Sequence, residues 1–352
     1  MKTHYVGMDV HQASIVIVVL NGAGKRVETI NLKTGVAAVR SYLQRLKGQV
    51  YVTFEEGTQA QWLYDLVRPL VTEVIVCDPR QNRLLAAGSK SDRIDAQKLA
   101  ELLRNGSLKA VDHADHGVRV LKELVRNYEC LVQDSTRLMS RLKAIYRGRA
   151  IACKGHEIYR QDQRAKWLRK LPEAGAKERA GYLYEQLAVL RPLRQRAKLA
   201  MLREARKQAA YRWLMSMPQL GPVSVAQLLA VVGTPHRFRS KRQFWTYVGL
   251  AVVTRTSAEQ ELVNGVLRRS RRPVATRGLN RNHNHLLKRV FKMAATNACR
   301  SGPFQAAYET RVRKGMDPAL ARLTIARQMA AITLRLWKRG ELFQVERIKV
   351  AA

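Results

Sequence analysis

Three observations set the fold class. The N-terminal segments are β-rich and then alternate with helical ones, a heptad-spaced stretch follows residue 115, and the last third has helical apolar periodicity. Together they predict an α/β domain over residues 1–114, a coiled-coil helical hairpin over residues 115–215 and a mainly α domain over residues 216–352. A chain of 352 residues can build two or three cores. Its 46% apolar content excludes a disordered tail protein.

Residues 4–11 and 13–20 are β-rich runs around a turn, and Asn21-Gly22-Ala23-Gly24 turns into a third strand from Arg26 to Leu32. Val36, Val39, Leu43 and Leu46 give residues 35–47 helical spacing. Val50 to Phe54 reads as a strand, Gln59 to Leu70 as a helix, Glu73 to Cys77 as a strand and Ser91 to Asn105 as a helix. The order β-β-β-α-β-α-β-α is that of an RNase H-like domain, although order alone does not establish one.

Beyond it, Leu121, Leu124, Tyr128, Leu131, Ser135, Leu138, Leu142 and Ile145 form a heptad seam. Residues 149–178 turn polar and basic, and a second helical stretch spans residues 179–214, where Pro192 should kink or interrupt it. The pair reads as an antiparallel coiled coil or dimerising arm, with a plain helical linker as the alternative. Met217-Pro218-Gln219-Leu220-Gly221-Pro222 opens a helix over residues 223–232 in a helix-hairpin-helix pattern, and its amides suit a phosphate. Further helices are expected near residues 240–248, 283–298 and 317–338.

Charge indicates the partner. The formal net is +37, rising from +4 over residues 1–100 to +11 over 101–200 and +16 over 201–300. A polyanion, DNA or RNA, is the first reading; an anionic lipid surface or a ribosomal role is the alternative. Arg268, Arg269, Arg271, Arg272 and Arg277 are the densest basic run. Cys77, Cys130, Cys153 and Cys299 have neither zinc nor disulfide spacing. Reduced thiols, together with no signal-peptide layout and no long apolar stretch, point to the cytoplasm.

Against this basic background four acids stand out. Val6-Gly7-Met8-Asp9 and Val52-Thr53-Phe54-Glu55 share one alternation, so Asp9 and Glu55 end their strands on the same face. They converge if those strands are neighbours. Asp92 and Asp95 share a face at the start of a helix. Gathered carboxylates repel, and divalent cations such as Mg²⁺ remove that conflict while activating phosphate chemistry. Taken singly, Asp9 could serve a turn, and Asp92 and Asp95 a helix start. Glu56 competes with Glu55, because a one-residue slip exchanges the faces. His11 is read as a supporting residue rather than a ligand.

These stretches resemble the insertion-sequence-110 family of DEDD-type bacterial recombinases. Gly7-Met8-Asp9-Val10-His11 is similar to its first motif. Phe54-Glu55-Glu56-Gly57-Thr58 stands where many members read Glu-Ala-Thr-Gly. Lys90-Ser91-Asp92-Arg93-Ile94-Asp95-Ala96 is similar to Lys-Thr-Asp-x-x-Asp-Ala. Met217 to Pro222 resembles the start of the family's transposase domain. Ser257-Ala258, eight positions after Gly249, stands where the family has Ser-Gly. Gly278-Leu279-Asn280-Arg281 with Leu286-Leu287 is similar to its Gly-Asn-x-x-Leu-Arg segment.

The resemblance implies a RuvC-like domain holding Mg²⁺ through Asp9, Glu55, Asp92 and Asp95. It implies Ser257 as a nucleophile that forms a transient phosphoserine link to DNA. It also implies a bridge-type non-coding RNA pairing with donor and target DNA, and a homo-oligomer that is a dimer, or a tetramer in the synaptic complex. A serine hydroxyl is a weak nucleophile without a base or metal, so Ser257 needs a composite site. A metal-dependent Holliday-junction-type nuclease using water is the other reading of the acids. Lys90, Arg93, Gly221, Asn280 and Arg281 join the arginine run as candidate nucleic-acid contacts.

Overall fold

β-Branched residues and leucine build the first sheet. In the computed structural model, which describes residues 2–78, 91–111, 116–255, 260–263, 266–269 and 275–348, the chain forms two compact units, residues 1–113 and 114–352. The first contains β1 (Thr3–Val10), β2 (Ser14–Asn21), β3 (Arg26–Lys33), α1 (Val36–Arg45), β4 (Gln49–Glu55), α2 (Ala60–Val67), β5 (Glu73–Cys77) and α3 (Asp92–Arg104). Strand order is β3-β2-β1-β4-β5. β1 is antiparallel to β2 and parallel to β4, and β4 is parallel to β5. The expected β-β-β-α-β-α-β-α order is present, in a mixed sheet consistent with an RNase H-like domain.

The sheet is covered on both faces, which explains the nearly unbroken apolar run of β2. Val6, Met8, Ile15, Ile17, Val19, Val52 and Phe54 pack with Val39, Leu43, Leu63 and Val67 of α1 and α2. On the opposite face Val16, Val18 and Leu20 meet Ala96 and Ala100 of α3. β3 lies at the edge and alternates in exposure, as expected for a strand with one covered face.

Gly7 sets how closely α3 crosses β1. A Cβ there would stand 2.1 Å from the Ala96 carbonyl oxygen and 2.6 Å from the Ala100 nitrogen. Only glycine permits this approach, which carries the first turn of α3 toward the end of β1.

The second unit begins with α4 (His116–Arg147), followed by α5 (Arg164–Arg169), α6 (Ala174–Arg206) and α7 (Ala210–Met215). Leu121 and Val125 share a core with Met201, Leu202 and Ala205, whereas Leu142 and Tyr146 share one with Ala180, Leu183 and Tyr184. The start of α4 therefore meets the end of α6, so the helices are antiparallel. Residues 149–178 are more ordered than their polar composition suggests: Ile158, Tyr159, Trp167 and Leu171 pack onto this pair. α6 starts earlier than the heptad pattern indicates and continues through Pro192. The proline forfeits one backbone bond, while Leu187 and Ala197 on either side stay buried.

The remainder comprises α8 (Pro222–Val232), α9 (Lys241–Tyr247), β6 (Val252–Arg255), β7 (Gln260–Val263), β8 (Val266–Arg269), β9 (Ala275–Leu279), α10 (His285–Ala298), α11 (Gln305–Arg313) and α12 (Pro318–Arg339). α12 carries buried Ile325, Met329, Leu336 and Trp337 into a core shared with α8, α9 and α10. Two antiparallel ribbons, β6–β9 and β7–β8, interrupt this helical region. Helical periodicity passes over them, although Asn264-Gly265 between Val263 and Val266 is a local hairpin signal. All four cysteines are free thiols. Among the described residues, no helix is long and apolar enough to cross a membrane.

Candidate metal centre

Parallel pairing brings the first two acids together. Met8 is in register with Phe54, so Asp9 and Glu55 follow side by side at the carboxyl ends of adjacent strands. Met8 and Phe54 are fully buried toward α1 and α2, which sends Asp9 and Glu55 to the face crossed by α3. Glu55 is half-buried and Glu56 is exposed.

α3 supplies the other two. Ser91 caps it: its hydroxyl accepts from the Ile94 N–H at 3.3 Å, and its carbonyl accepts from the Asp95 N–H at 2.9 Å. Asp92 and Asp95 occupy the first turn. Asp92 is exposed, while the Asp95 Oδ1 atom is buried with no hydrogen-bond partner. A buried carboxylate oxygen without a donor is costly in protein alone and is suited to a cation.

These groups act on one another through their charges. Burial pushes the Asp9 carboxyl above its ordinary range, Asp92 and Asp95 push it further, and His11 opposes the rise. Glu55 is raised by burial, then by Asp9, Asp95 and Asp78. Asp78, which the sequence pattern marks only as a strand end, thus adds to the local negative field. His11 also belongs to the cluster: its Nε2 lies 3.2 Å from Asp9 Oδ2 and 3.5 Å from Asp92 Oδ2. Asp9, His11 and Asp92 offer ligand atoms within 4.8 Å of one another. Such a donor set fits a divalent cation; it contains two of the four expected acids, Asp9 and Asp92, together with His11.

The other expected contacts fall in different settings. Arg93 is exposed beside Asp92, and Lys90 lies outside the described residues. Gly221 is the N-cap of α8, directly before Pro222. Asn280 is committed to its own turn: its N–H donates to the Ala251 carbonyl, and its side-chain amide donates to the carbonyls of Thr246 and Asn282. Arg281 is exposed. Arg268 and Arg269 are on β8 and Arg277 is on β9, whereas Arg271, Arg272 and Ser257 lie outside the described residues.

A mixed sheet with acids at the ends of adjacent central strands, joined by acids from a crossing helix, is consistent with an RNase H-like phosphoryl-transfer domain. Residues 6–148 match the family model of DEDD transposases of the IS110 type, and residues 211–309 match the model described as transposase, IS116/IS110/IS902 family. The chain therefore belongs to the IS110 family of transposases. Membership implies a transposase or recombinase acting on DNA, and it suggests dependence on a divalent metal. No curated protein matches the chain.

Proposed function

We propose that this transposase is an RNA-guided, site-specific DNA recombinase of an insertion sequence, in which Ser257 attacks DNA phosphate with the assistance of Mg²⁺. The observation that carries the reading is the convergence of Asp9, Glu55 and Asp95, with Asp95 Oδ1 buried and bare. Asp9, Glu55, Asp92 and Asp95 would hold Mg²⁺. When bound, Mg²⁺ supplies Lewis-acid polarisation of phosphoryl oxygens. His11, hydrogen-bonded to Asp9, orients that carboxylate.

Ser257 is the nucleophile in this reading. Its oxygen bonds to phosphorus as one phosphorus–oxygen bond of the strand breaks, the serine proton passes to the leaving oxygen, which departs as a free hydroxyl end, and a hydroxyl end of another strand later reverses that exchange and returns the proton to serine. The phosphoserine link conserves the phosphodiester for rejoining. A bridge-type non-coding RNA selects donor and target DNA by pairing, while Lys90, Arg93, Gly221, Arg281 and the arginines from Arg268 to Arg277 hold backbone, and Asn280 shapes the turn beside them. The active form is a homo-oligomer in the bacterial cytoplasm, assembled through the 115–215 arm as a dimer, or as a tetramer at synapsis.

A denaturing gel of labelled DNA incubated with protein and Mg²⁺ tests the chemistry. Wild type should retain DNA covalently, and Ser257→Ala should lose both the adduct and recombination. Asp9→Asn should abolish cleavage, by at least about a hundredfold. Full recombination by Ser257→Ala sinks the serine step. Wild-type cleavage without any adduct favours water as the nucleophile, as in a junction nuclease. Sequencing the RNA recovered with purified protein tests the guide.

A further inference from the structure

A cleft of about 710 Å³ opens in the second unit among α4, α8 and α10. Lys122, Arg126, Glu129, Gln133, His285 and Arg289 supply its polar wall. Its floor is a three-helix joint. Glu129 of α4 accepts from Gln227 Nε2 of α8 at 2.6 Å and from Arg289 Nη2 of α10 at 2.6 Å. The glutamate side chain is only 12% exposed, whereas the arginine is 45% exposed. Glu129 therefore holds the guanidinium from its buried side, and the outer part stays in the water of the cleft.

This is the arrangement of an arginine prepared for an anion. A guanidinium fork has five donors, and fixing one edge leaves the remainder oriented without further loss of freedom. Arg126, held by exposed Glu123 at 2.7 Å, and Lys122 bring two more cations from α4. Positive groups from two helices thus line one open cleft, a setting suited to a polyanion.

We propose that this cleft is a phosphodiester-binding site, taking the backbone of a nucleic-acid strand across Lys122, Arg126 and Arg289. The site rests on the reading that this transposase handles nucleic acid. Its lining residues belong to α4, α8 and α10 and include none of the arginine run. Phosphate contacts of this kind fix register and carry no sequence information. The cleft is thus a holding point for DNA or RNA, and the source of the backbone is open to experiment.

The test uses full-length protein and fluorescence anisotropy over a salt series, with a short duplex DNA and a single-stranded RNA of the same sequence as probes. The variant is Lys122→Ala/Arg126→Ala. The control, Arg40→Ala/Lys47→Ala, removes the same charge from exposed positions of the sheet unit. The slope of log affinity against log salt should become shallower by about 1.8 for the duplex, or about 1.4 for the single strand, in the cleft variant and not in the control. A change confined to one probe identifies the strand bound there. An unchanged slope with both probes, or an equal fall in the control, overturns the site and leaves the proposed function standing. Wild type that binds neither probe overturns both.

Discussion

The two units handle charge in opposite ways. In the sheet unit, Asp9, Glu55, Asp92 and Asp95 are drawn from three separate segments until burial and mutual repulsion raise the carboxyls of Asp9 and Glu55. In the helical unit, basic side chains are spread over exposed positions, and the buried acid Glu129 is bonded to both Gln227 and Arg289. In the first arrangement the carboxylates repel one another, a conflict that a bound cation would relieve. The second leaves positive charge for a polyanion to neutralise. Metal chemistry needs a few groups converging within ångströms, whereas holding nucleic acid needs many groups of one sign over a wide area.

The comparison breaks most sharply at Glu55 and Glu56. Glu55→Gln should lower DNA cleavage by about a hundredfold or more, as expected for a lost charge at a phosphoryl-transfer centre, while Glu56→Gln should stay within about threefold. Equal losses would mean that the strand phase does not select the acid.

Gly7→Ala is next. The added methyl meets the Ala96 carbonyl and must push α3 from the sheet. Overpacking of this kind should cost about 1–3 kcal/mol, read by thermal or denaturant unfolding, and cleavage should fall with it as Asp92 and Asp95 withdraw. A variant with unchanged stability and activity would show that α3 does not need this close crossing.

The smallest effect expected is a shift of stability with pH and metal. The folded unit holds protons on Asp9 and Glu55 more tightly than the unfolded chain does, because both carboxyls are raised. Without divalent ions, these two groups therefore favour folding most below the ordinary carboxylate range, and that contribution is lost as pH rises through their raised values. Adding Mg²⁺ near neutral pH should recover it and raise the Tm by a few degrees, since binding only to the folded state stabilises by mass action. Asp9→Asn should remove most of the Mg²⁺ response. A Tm insensitive to Mg²⁺ in wild type would argue against a metal site in the sheet unit.

Legibility in the sequence differed between the same two regions. In the sheet unit, strand alternation led from Met8 and Phe54 directly to the face of Asp9 and Glu55, because a strand's period of two is a local property. His11 was visible only as a supporting residue. Its place beside both Asp9 and Asp92 depends on where the turn after β1 meets the start of α3. In the helical unit, local periodicity found α8, α9, α10 and α12 and passed over the short ribbons, whose pairing is made between segments. The Glu129–Arg289 bond joins residues 160 positions apart and has no local signal.

The sequence by itself determined the succession of strands and helices in the sheet unit, the acids as a set, and a surplus of positive charge that grows toward residues 201–300. These follow from side-chain chemistry and short-range periodicity. Tertiary structure alone decided that β1 lies beside β4, that Gly7 admits α3, and that Glu129 orients Arg289 at the mouth of a cleft. Each of those depends on which distant surfaces are buried together, and burial is a property of the packed chain rather than of any single segment.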